Sequence, residues 1–322
     1  MTHLPTVALG RTDMAITRVG LGAWAIGGGD WAFAWGPQDD DASVAAIRHA
    51  VEQGINWIDT APVYGLGHSE DVVRRALADL PEADRPYVFT KSGLVWDESD
   101  RNSKARRVGA PDSLRREVEA SLTRLGVERI DLWQMHWPAE DGTPIEEYWQ
   151  VFCDLRAEGK IRAAGLSNHG VAQLEAAEAV GHVDTLQPPF SAIRRDAAAD
   201  VLPWCEEHGT GVIVYSPMGS GLLTGAFTAE RVAALPQDDW RRSAPAFTTD
   251  LEDNLAVADA VARVAERHDV PTPAAAVAWA LGVPGVTGAI VGARTPEQVD
   301  GWLPAASLEL SREDLAEIAP LG

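Results

Sequence analysis

The sequence is poor in cysteine, in long apolar runs and in positive charge, and each shortage excludes a class of protein. The two cysteines among 322 residues, Cys153 and Cys205, cannot build a disulfide framework, and their positions do not match a metal-ligand motif. The longest apolar run, 274–286, is too short to cross a bilayer and is interrupted by Pro284. The first ten residues lack the basic and apolar segments of a signal peptide. We therefore expect a soluble, cytoplasmic protein.

The charge balance limits the partners. The chain has 48 acidic and 27 basic residues, for a formal net charge of −21. Such a surface repels phosphate backbones and anionic membranes, so the expected partner is a small molecule rather than nucleic acid or a membrane. Lysines are especially rare, and Lys91 draws notice because it ends the apolar stretch YVFTK.

Short apolar segments alternate with amphipathic ones along the whole chain, which is typical of parallel strands covered by helices on both faces. Eight such strands predict a closed (β/α)8 barrel, or TIM barrel, because closure removes exposed sheet edges. An open doubly wound sheet is the alternative. The predicted strands are 19–24, 55–59, 87–91, 130–136, 161–167, 183–187, 211–216 and 289–292, and the predicted helices are 42–52, 70–80, 111–125, 145–157, 171–180, 197–208 and 255–268.

We expect residues 1–322 to form a single barrel domain with two kinds of addition. Residues 7–19 predict a short N-terminal β-hairpin ahead of the first barrel strand. Segments 92–110 and 218–249 are long for ordinary loops and predict functional loops on the carboxyl-terminal face.

Polar residues end the predicted strands, and the carboxyl-terminal ends of barrel strands are where active sites form. One such residue could be a simple loop residue, but a whole series converging on one rim indicates a functional site. The series comprises Asp59, Lys91, His136, Ser167, Asn168, Gln187, Tyr215 and Ser216, with Tyr64 and Arg294 in the loops that follow two strands.

Asp59, Tyr64 and Lys91 together suggest carbonyl reduction. A carbonyl that receives a hydride also needs a proton, and a phenol can donate one although its ordinary pKa is about 10. A nearby ammonium would lower that pKa, and a carboxylate would keep the lysine charged. A barrel lyase with Lys91 as a Schiff-base nucleophile is an alternative. A metal-dependent hydrolase is disfavoured because no HxH pair ends the first strand, so no metal is expected.

The same residues lie in motifs that resemble the aldo-keto reductases. These motifs are GINWIDTAPVYGLGHSE with Asp59 and Tyr64, the TK pair ending at Lys91, and SLTRLGVERIDLWQMHWP with His136. GLSNH, YSPMGSGLL and GARTPEQV follow in the family's order. The GART form and the GAWAIGG opening look more like the bacterial and potassium-channel β-subunit branch.

The resemblance implies a role for each residue. Tyr64 would be the proton donor, tuned by Lys91 and Asp59, and His136 would orient the substrate. Ser167, Asn168 and Gln187 would bind the nicotinamide carboxamide, and Tyr215 would stack on its ring. The remaining expected cofactor contacts are Gly22, Ala23, Trp24, Ser216, Pro217, Met218, Gly219, Ser220, Gly221, Leu222, Gly292, Arg294 and Gln298.

Residues around Arg294 predict the choice of cofactor. Thr295, Pro296 and Gln298 have the pattern of a helix start with a capping box. A helix N-terminus beside an arginine favours the 2′-phosphate of NADP(H). The family's more widespread motif has a lysine at Gly292 and an arginine at Gln298, so NAD(H) stays an alternative.

The tryptophans predict an aromatic substrate pocket. Trp24, Trp31, Trp96 and Trp137 fall at or near the carboxyl-terminal ends of strands, and we expect them to line it. The expected activity is NAD(P)H-dependent reduction of an aldehyde or ketone. A nicotinamide-binding redox-sensor subunit with slow turnover is the alternative function.

Overall fold

The computed structural model describes residues 4–237 and 239–320. Within them, the strands are β1 Thr6–Ala8, β2 Ala15–Thr17, β3 Val19–Gly22, β4 Trp57–Asp59, β5 Tyr87–Ser92, β6 Leu94–Val95, β7 Arg106–Arg107, β8 Ile130–Met135, β9 Ile161–Ser167, β10 Thr185–Gln187, β11 Gly211–Tyr215 and β12 Gly288–Gly292.

Eight of these strands form a closed parallel barrel in the order β10-β11-β12-β3-β4-β5-β8-β9. The barrel closes where β12 pairs with β3, with Ala289 opposite Val19 and Gly292 opposite Gly22. The predicted TIM barrel is therefore confirmed, and the open doubly wound sheet is wrong. Several strands are shorter than predicted; β3, for example, stops at Gly22, because a 3₁₀ turn begins immediately beyond Trp24.

Helices lie in the connections between the barrel strands, and two more follow the last strand, β12. Their bounds are α1 Asp40–Glu52, α2 His68–Leu77, α3 Pro111–Leu125, α4 Ile145–Ala157, α5 Val171–Glu178, α6 Val201–His208, α7 Ala229–Ala233, α8 Leu251–Arg267, α9 Thr272–Leu281, α10 Pro296–Trp302 and α11 Arg312–Ile318. The ends of α3 show the local causes, because Pro111 suits its first turn and Gly126 closes it in the left-handed conformation.

Helix α9 is a departure from the sequence prediction. The sequence analysis predicts no helix in the apolar run 274–286. The first part of this run is nevertheless helical, and its residues from Ala274 to Leu281 are all buried. A helix that is apolar on every side has no amphipathic period to detect and belongs in the interior. No helix of the described residues has the length and apolar character needed to cross a membrane.

The predicted hairpin is present and closes the amino-terminal end of the barrel. β1 and β2 pair antiparallel, with Val7 opposite Ile16. Leu9, Met14 and Ile16 are buried against barrel residues that include Trp57 and Phe89. The indole nitrogen of Trp57 donates to the Thr17 carbonyl at 2.8 Å. The barrel floor is thus sealed, which leaves the carboxyl-terminal face for ligands.

The two long loops lie at that open face and carry structure of their own. In the first, β6 and β7 form a small antiparallel sheet with Leu94 opposite Arg107. The second contains α7 and several 3₁₀ turns, and it buries Leu222, Val232 and Phe247 in a separate apolar cluster. Both loops are therefore positioned by their own contacts over the strand ends.

Gly20 tests the packing of the barrel interior. A Cβ at this position would lie 2.2 Å from the Trp57 ring. We expect Gly20→Ala to lower the free energy of unfolding by about 1–3 kcal/mol, because the fully buried indole has no room to move. Gly301→Ala in α10 is the matched control, since its Cβ meets no atom within 4 Å and should leave stability unchanged or raise it by about 1 kcal/mol. Denaturant unfolding of both variants measures the difference; equal stability would contradict this packing.

Candidate active site

The four predicted catalytic residues lie together on the carboxyl-terminal face. Asp59 is the last residue of β4, Lys91 lies near the end of β5, and His136 directly follows β8. Tyr64 lies in the loop between β4 and α2. The β4–β5 pairing sets Asp59 opposite Phe89, and the strand order places β8 beyond β5. Three adjacent strands therefore deliver three of the four side chains to one place.

The Lys91 ammonium is the centre of the cluster. Its Nζ donates to Asp59 Oδ1 at 2.5 Å, to the Thr60 carbonyl at 2.9 Å and to Tyr64 Oη at 3.4 Å. Lysine has three N–H donors and no acceptor when charged, so all three are engaged and the Tyr64 oxygen must accept. The phenolic hydrogen is consequently directed away from Lys91.

The second oxygen of Asp59 is held by two glutamines. Gln187 Nε2 donates to Asp59 Oδ2 at 2.9 Å and Gln134 Nε2 donates to it at 3.3 Å. Gln134 was missed by the sequence analysis. The signal was available, because Gln134 precedes His136 by two positions in the predicted strand 130–136, and residues two apart in a strand face the same side.

The pKa of Tyr64 differs from the sequence expectation. It lies well above the ordinary value, because burial disfavours the phenolate and the Asp59 carboxylate repels it. The expected lowering by Lys91 is therefore wrong for this arrangement. Burial also lowers the pKa of Lys91, although Asp59 opposes that shift. The hydroxyl is a neutral, protonated donor beside a charged but fully partnered lysine.

His136 lies against Tyr64, with the ring centroids 5.9 Å apart and the rings nearly perpendicular. Its pKa lies well below 6.5, because burial disfavours the charged form and Lys91 and Arg107 repel it. The imidazole is thus neutral and has one N–H to donate. The Asn168 side chain donates to the His136 carbonyl at 2.9 Å, which ties the end of β8 to the loop after β9.

Ser167, Asn168, Gln187 and Tyr215 form one hydrogen-bonded group beside the four. Ser167 Oγ donates to the Gln187 carbonyl at 2.8 Å. Tyr215 Oη donates to Asn168 Oδ1 at 2.8 Å. Asn168 has the left-handed backbone, with φ of 63°, a conformation that asparagine tolerates better than most residues. Burial raises the pKa of Tyr215 to about 12, so its phenol is neutral.

The segment after β11 forms a series of tight turns. Ser216, Gly219, Ser220 and Gly221 all have positive φ, between 56° and 96°. The Gly219 N–H donates to the Ser216 carbonyl at 2.9 Å, and the Gly221 N–H donates to the Met218 carbonyl at 3.1 Å. The hydroxyl and amide groups of Ser167, Asn168 and Gln187 are of the kind that can hold a carboxamide, so this group of residues fits a nicotinamide.

Arg294 lies between β12 and α10, and the contacts around it differ from the prediction. Its guanidinium donates to Gln38 Oε1 and to the Pro37 carbonyl. The predicted capping box is wrong: Thr295 makes no side-chain cap, and Gln298 Oε1 instead accepts from the Arg294 backbone N–H at 2.7 Å. The helix itself starts as predicted, with Thr295 at the N-cap position and Pro296 as the first helical residue. Only the hydrogen bond differs, because Gln298 satisfies the amide that precedes the N-cap.

Aromatic rings form a wall beside Tyr64. Trp24 stacks near Tyr64 with centroids 6.2 Å apart, and Trp31 lies at 6.4 Å. Trp35 and Trp240, which the sequence analysis did not select, extend the wall through contacts with Trp24 at 5.3 and 6.4 Å. Trp240 comes from the long loop after β11, and no strand-end pattern marks such a residue.

Trp96 and Trp137 have different surroundings. Among the ring pairs of residues 4–237 and 239–320, those with Tyr64 involve Trp24, Trp31 and His136. Trp137 carries the Arg107 guanidinium 4.4 Å above its ring. Trp96 is half-buried and follows β6.

Over the same described ranges, no group of three or more His, Cys, Asp or Glu side chains is arranged to hold a metal ion.

Comparison with known proteins gives the family. Residues 18–321 match the family model described as "Aldo/keto reductase family". The chain is 36% identical to aldo-keto reductase YhdN of Bacillus subtilis over 95% of this chain and 90% of that protein. It is also 36% identical to the NADH-specific methylglyoxal reductase of Escherichia coli, over 96% of this chain and 95% of the relative.

A solved structure agrees in both sequence and fold. The glycerol dehydrogenase AKR11B4 from Gluconobacter oxydans superposes with a TM-score of 0.88 at 41% identity, over 97% of this chain and 93% of that one. The family match over nearly the whole chain, together with the closed barrel, identifies this chain as a member of the aldo/keto reductase family and an NAD(P)H-dependent oxidoreductase.

Proposed function

We propose that this enzyme reduces an aldehyde or ketone to the alcohol, with Tyr64 as the proton donor. The observation that carries the proposal is the saturation of Lys91: its three donors go to Asp59, Thr60 and the Tyr64 oxygen. The Tyr64 hydrogen is left to point at a substrate oxygen. As that proton leaves, the Lys91 ammonium beside the phenolate oxygen stabilises the new negative charge, while Asp59 keeps Lys91 protonated.

His136 orients the carbonyl in this proposal. A neutral imidazole donates one hydrogen bond to the carbonyl oxygen without competing with Tyr64 for the proton. The short distance between the two rings, 5.9 Å between centroids, supports a shared role for the two side chains. The substrate oxygen would therefore bind between the Tyr64 hydroxyl and the imidazole N–H.

The proposed cofactor contacts lie at the carboxyl-terminal ends of the barrel strands. The nicotinamide supplies the hydride when it is bound. Asn168, Ser167 and Gln187 would hold the carboxamide, and Tyr215 would stack on the ring. Gly22, Ala23 and Trp24 would make further contacts with the cofactor. The backbone of 216–222 would hold the pyrophosphate. We also propose that residues 1–322 form one domain and that the reaction uses no metal ion.

The aromatic wall supports a small substrate pocket. Trp24 and Trp31 narrow the approach to Tyr64, and Trp96 and Trp137 would line the pocket further out. Two relatives are named for methylglyoxal and glycerol, which are both small, polar three-carbon compounds. We propose a small aldehyde or ketone as the substrate class. Slow turnover with tight cofactor binding would instead indicate the redox-sensor alternative.

For the cofactor, we propose NADP(H) as the preferred form and NAD(H) as the alternative. Arg294 supports NADP(H), because a guanidinium has five N–H donors, and its contacts with Gln38, Pro37 and Trp35 leave two of them for a 2′-phosphate. Gly292 and Gln298 would border the same site without adding charge. The alternative has support from the Escherichia coli relative, which is named as NADH-specific.

Replacing the proposed proton donor tests the mechanism. We expect Tyr64→Phe to lower kcat for aldehyde reduction by about a hundredfold to ten-thousandfold, the usual contribution of a positioned general acid. Cofactor affinity should change less than about twofold, because the hydroxyl faces the substrate. Tyr87→Phe, at the opposite end of the barrel in β5, is the matched control and should keep full activity. Retained turnover in Tyr64→Phe would contradict the assignment.

The depressed pKa of His136 predicts the pH dependence. The imidazole stays neutral at every pH above its lowered pKa, so no change of charge occurs near the ordinary value of 6.5. We therefore expect kcat for reduction to stay level between about pH 6 and pH 8. Steady-state rates at saturating substrate and cofactor measure this. A midpoint near 6.5 that disappears in His136→Gln would show that the imidazole charges during the cycle.

Arg294→Gln tests the cofactor choice. A charge-assisted hydrogen bond to phosphate contributes about 1.5–3 kcal/mol, so the Kd of NADPH should rise about tenfold to a hundredfold. The Kd of NADH should change less than about twofold, because NADH lacks the 2′-phosphate. Fluorescence titration with both cofactors gives the two constants. An equal change for both would mean that Arg294 acts on the fold of 35–38 rather than on the phosphate.

A further inference from the structure

Gln134 is a buried polar residue that the proposed chemistry does not use. It lies in β8 with a fully buried side chain, between the apolar neighbours Trp133 and Met135. An amide without a hydrogen-bond partner is costly in such a position. Its contacts should therefore reveal what it does.

Both hydrogen-bonding ends of Gln134 are engaged with site residues. Its Nε2 donates to Asp59 Oδ2 at 3.3 Å, and its Oε1 accepts from Gln187 Nε2 at 3.1 Å. The ionised Asp59 can only accept, so it requires both glutamines to present their nitrogen atoms. The carboxylate thus determines the orientation of both amides.

This arrangement leaves Gln187 with one free function. Its Nε2 has two hydrogens, and they go to Asp59 Oδ2 and to Gln134 Oε1. Among the described residues, no hydrogen bond reaches the Oε1 atom, which can only accept. Without Gln134, the amide would keep a single anchor, and its terminal torsion has a broad, two-fold preference.

We propose that Gln134 is a positioning residue that holds Gln187 with its Oε1 toward the amino group of the nicotinamide carboxamide. The proposal rests on the cofactor site of the proposed function. Gln134 acts from behind Gln187 and touches neither cofactor nor substrate. It also ties that contact to Asp59, so one network holds both Lys91 and the carboxamide acceptor.

A pair of cofactor analogues isolates this contact. Oxidised NADP has a carboxamide amino group that can donate to Gln187, whereas its 3-acetylpyridine analogue carries a methyl group there. We expect the wild-type protein to bind oxidised NADP about tenfold more tightly than the analogue, which is the ratio that one net hydrogen bond supplies. The two Kd values come from quenching of tryptophan fluorescence without turnover. The NAD pair replaces the NADP pair if it binds more tightly.

Gln134→Met retains the length of the side chain and removes the amide. We expect it to reduce the Kd ratio to near one, chiefly by weakening the carboxamide cofactor, while the analogue binds as before. Gln150→Met, on the exposed face of α4, is the matched control and should keep the wild-type ratio. If Gln134→Met does not fold, Gln134→Asn, which withdraws the amide by one methylene, should lose the same ratio.

The outcomes separate this proposal from the proposed function. A retained ratio in folded Gln134→Met overturns the positioning role but leaves the cofactor site intact. A wild-type ratio of one also overturns it, because Gln187 would then present no acceptor. Failure of the wild-type protein to bind any nicotinamide cofactor would overturn the cofactor site itself, and the positioning role with it.

Discussion

The buried ion pair of Asp59 and Lys91 is the interaction on which the whole site depends. Lys91 is completely buried and Asp59 is 2% exposed. Leaving either charge unpaired in such surroundings costs several kcal/mol. Further hydrogen bonds stabilise both charges. The Lys91 ammonium donates to the Thr60 carbonyl and to Tyr64 Oη, and the Asp59 carboxylate accepts from Gln134 and Gln187. Each residue that satisfies the pair is thereby held in position.

The same burial sets the protonation states around the pair. Because low polarity disfavours charge, Tyr64 stays protonated and His136 stays neutral, while Lys91 remains charged only with the help of Asp59. A proton donor that holds its proton at neutral pH suits a reaction that must protonate an alkoxide. In the proposed reaction, Lys91 would stabilise the negative charge that develops on Tyr64 as its proton leaves.

Two loops surround Tyr64 with aromatic side chains. The segment after β3 supplies Trp24, Trp31 and Trp35, and the segment after β11 supplies Trp240. Trp35 and Trp240 meet edge to face at 5.7 Å, and Arg241 lies 5.2 Å above Trp35. At the other end of the same segment, Gln38 bonds Arg294. The loop after β3 thus contacts both Tyr64 and Arg294.

The amino-acid sequence by itself determined the barrel and the chemistry at the strand ends. Eight apolar segments with helices between them allow few arrangements, and the polar residues at Asp59, Lys91 and His136 must converge once those strands are parallel neighbours. Local patterns were less reliable where tertiary contacts compete with them. The apolar helix α9 has no period to detect, and Gln298 bonds the Arg294 backbone rather than capping at Thr295.

Only the tertiary structure decided the partners and the protonation states. Gln134 of β8 is hydrogen-bonded to Asp59 of β4 and to Gln187 of β10. Trp240 contacts Trp24, although the two residues are far apart in the sequence. The raised pKa of Tyr64 also depends on burial, which residue types and spacing do not report. A sequence shows which residues end each strand because that information is local. Contact distances and desolvation arise from the whole packed molecule, so they appear only when it is folded.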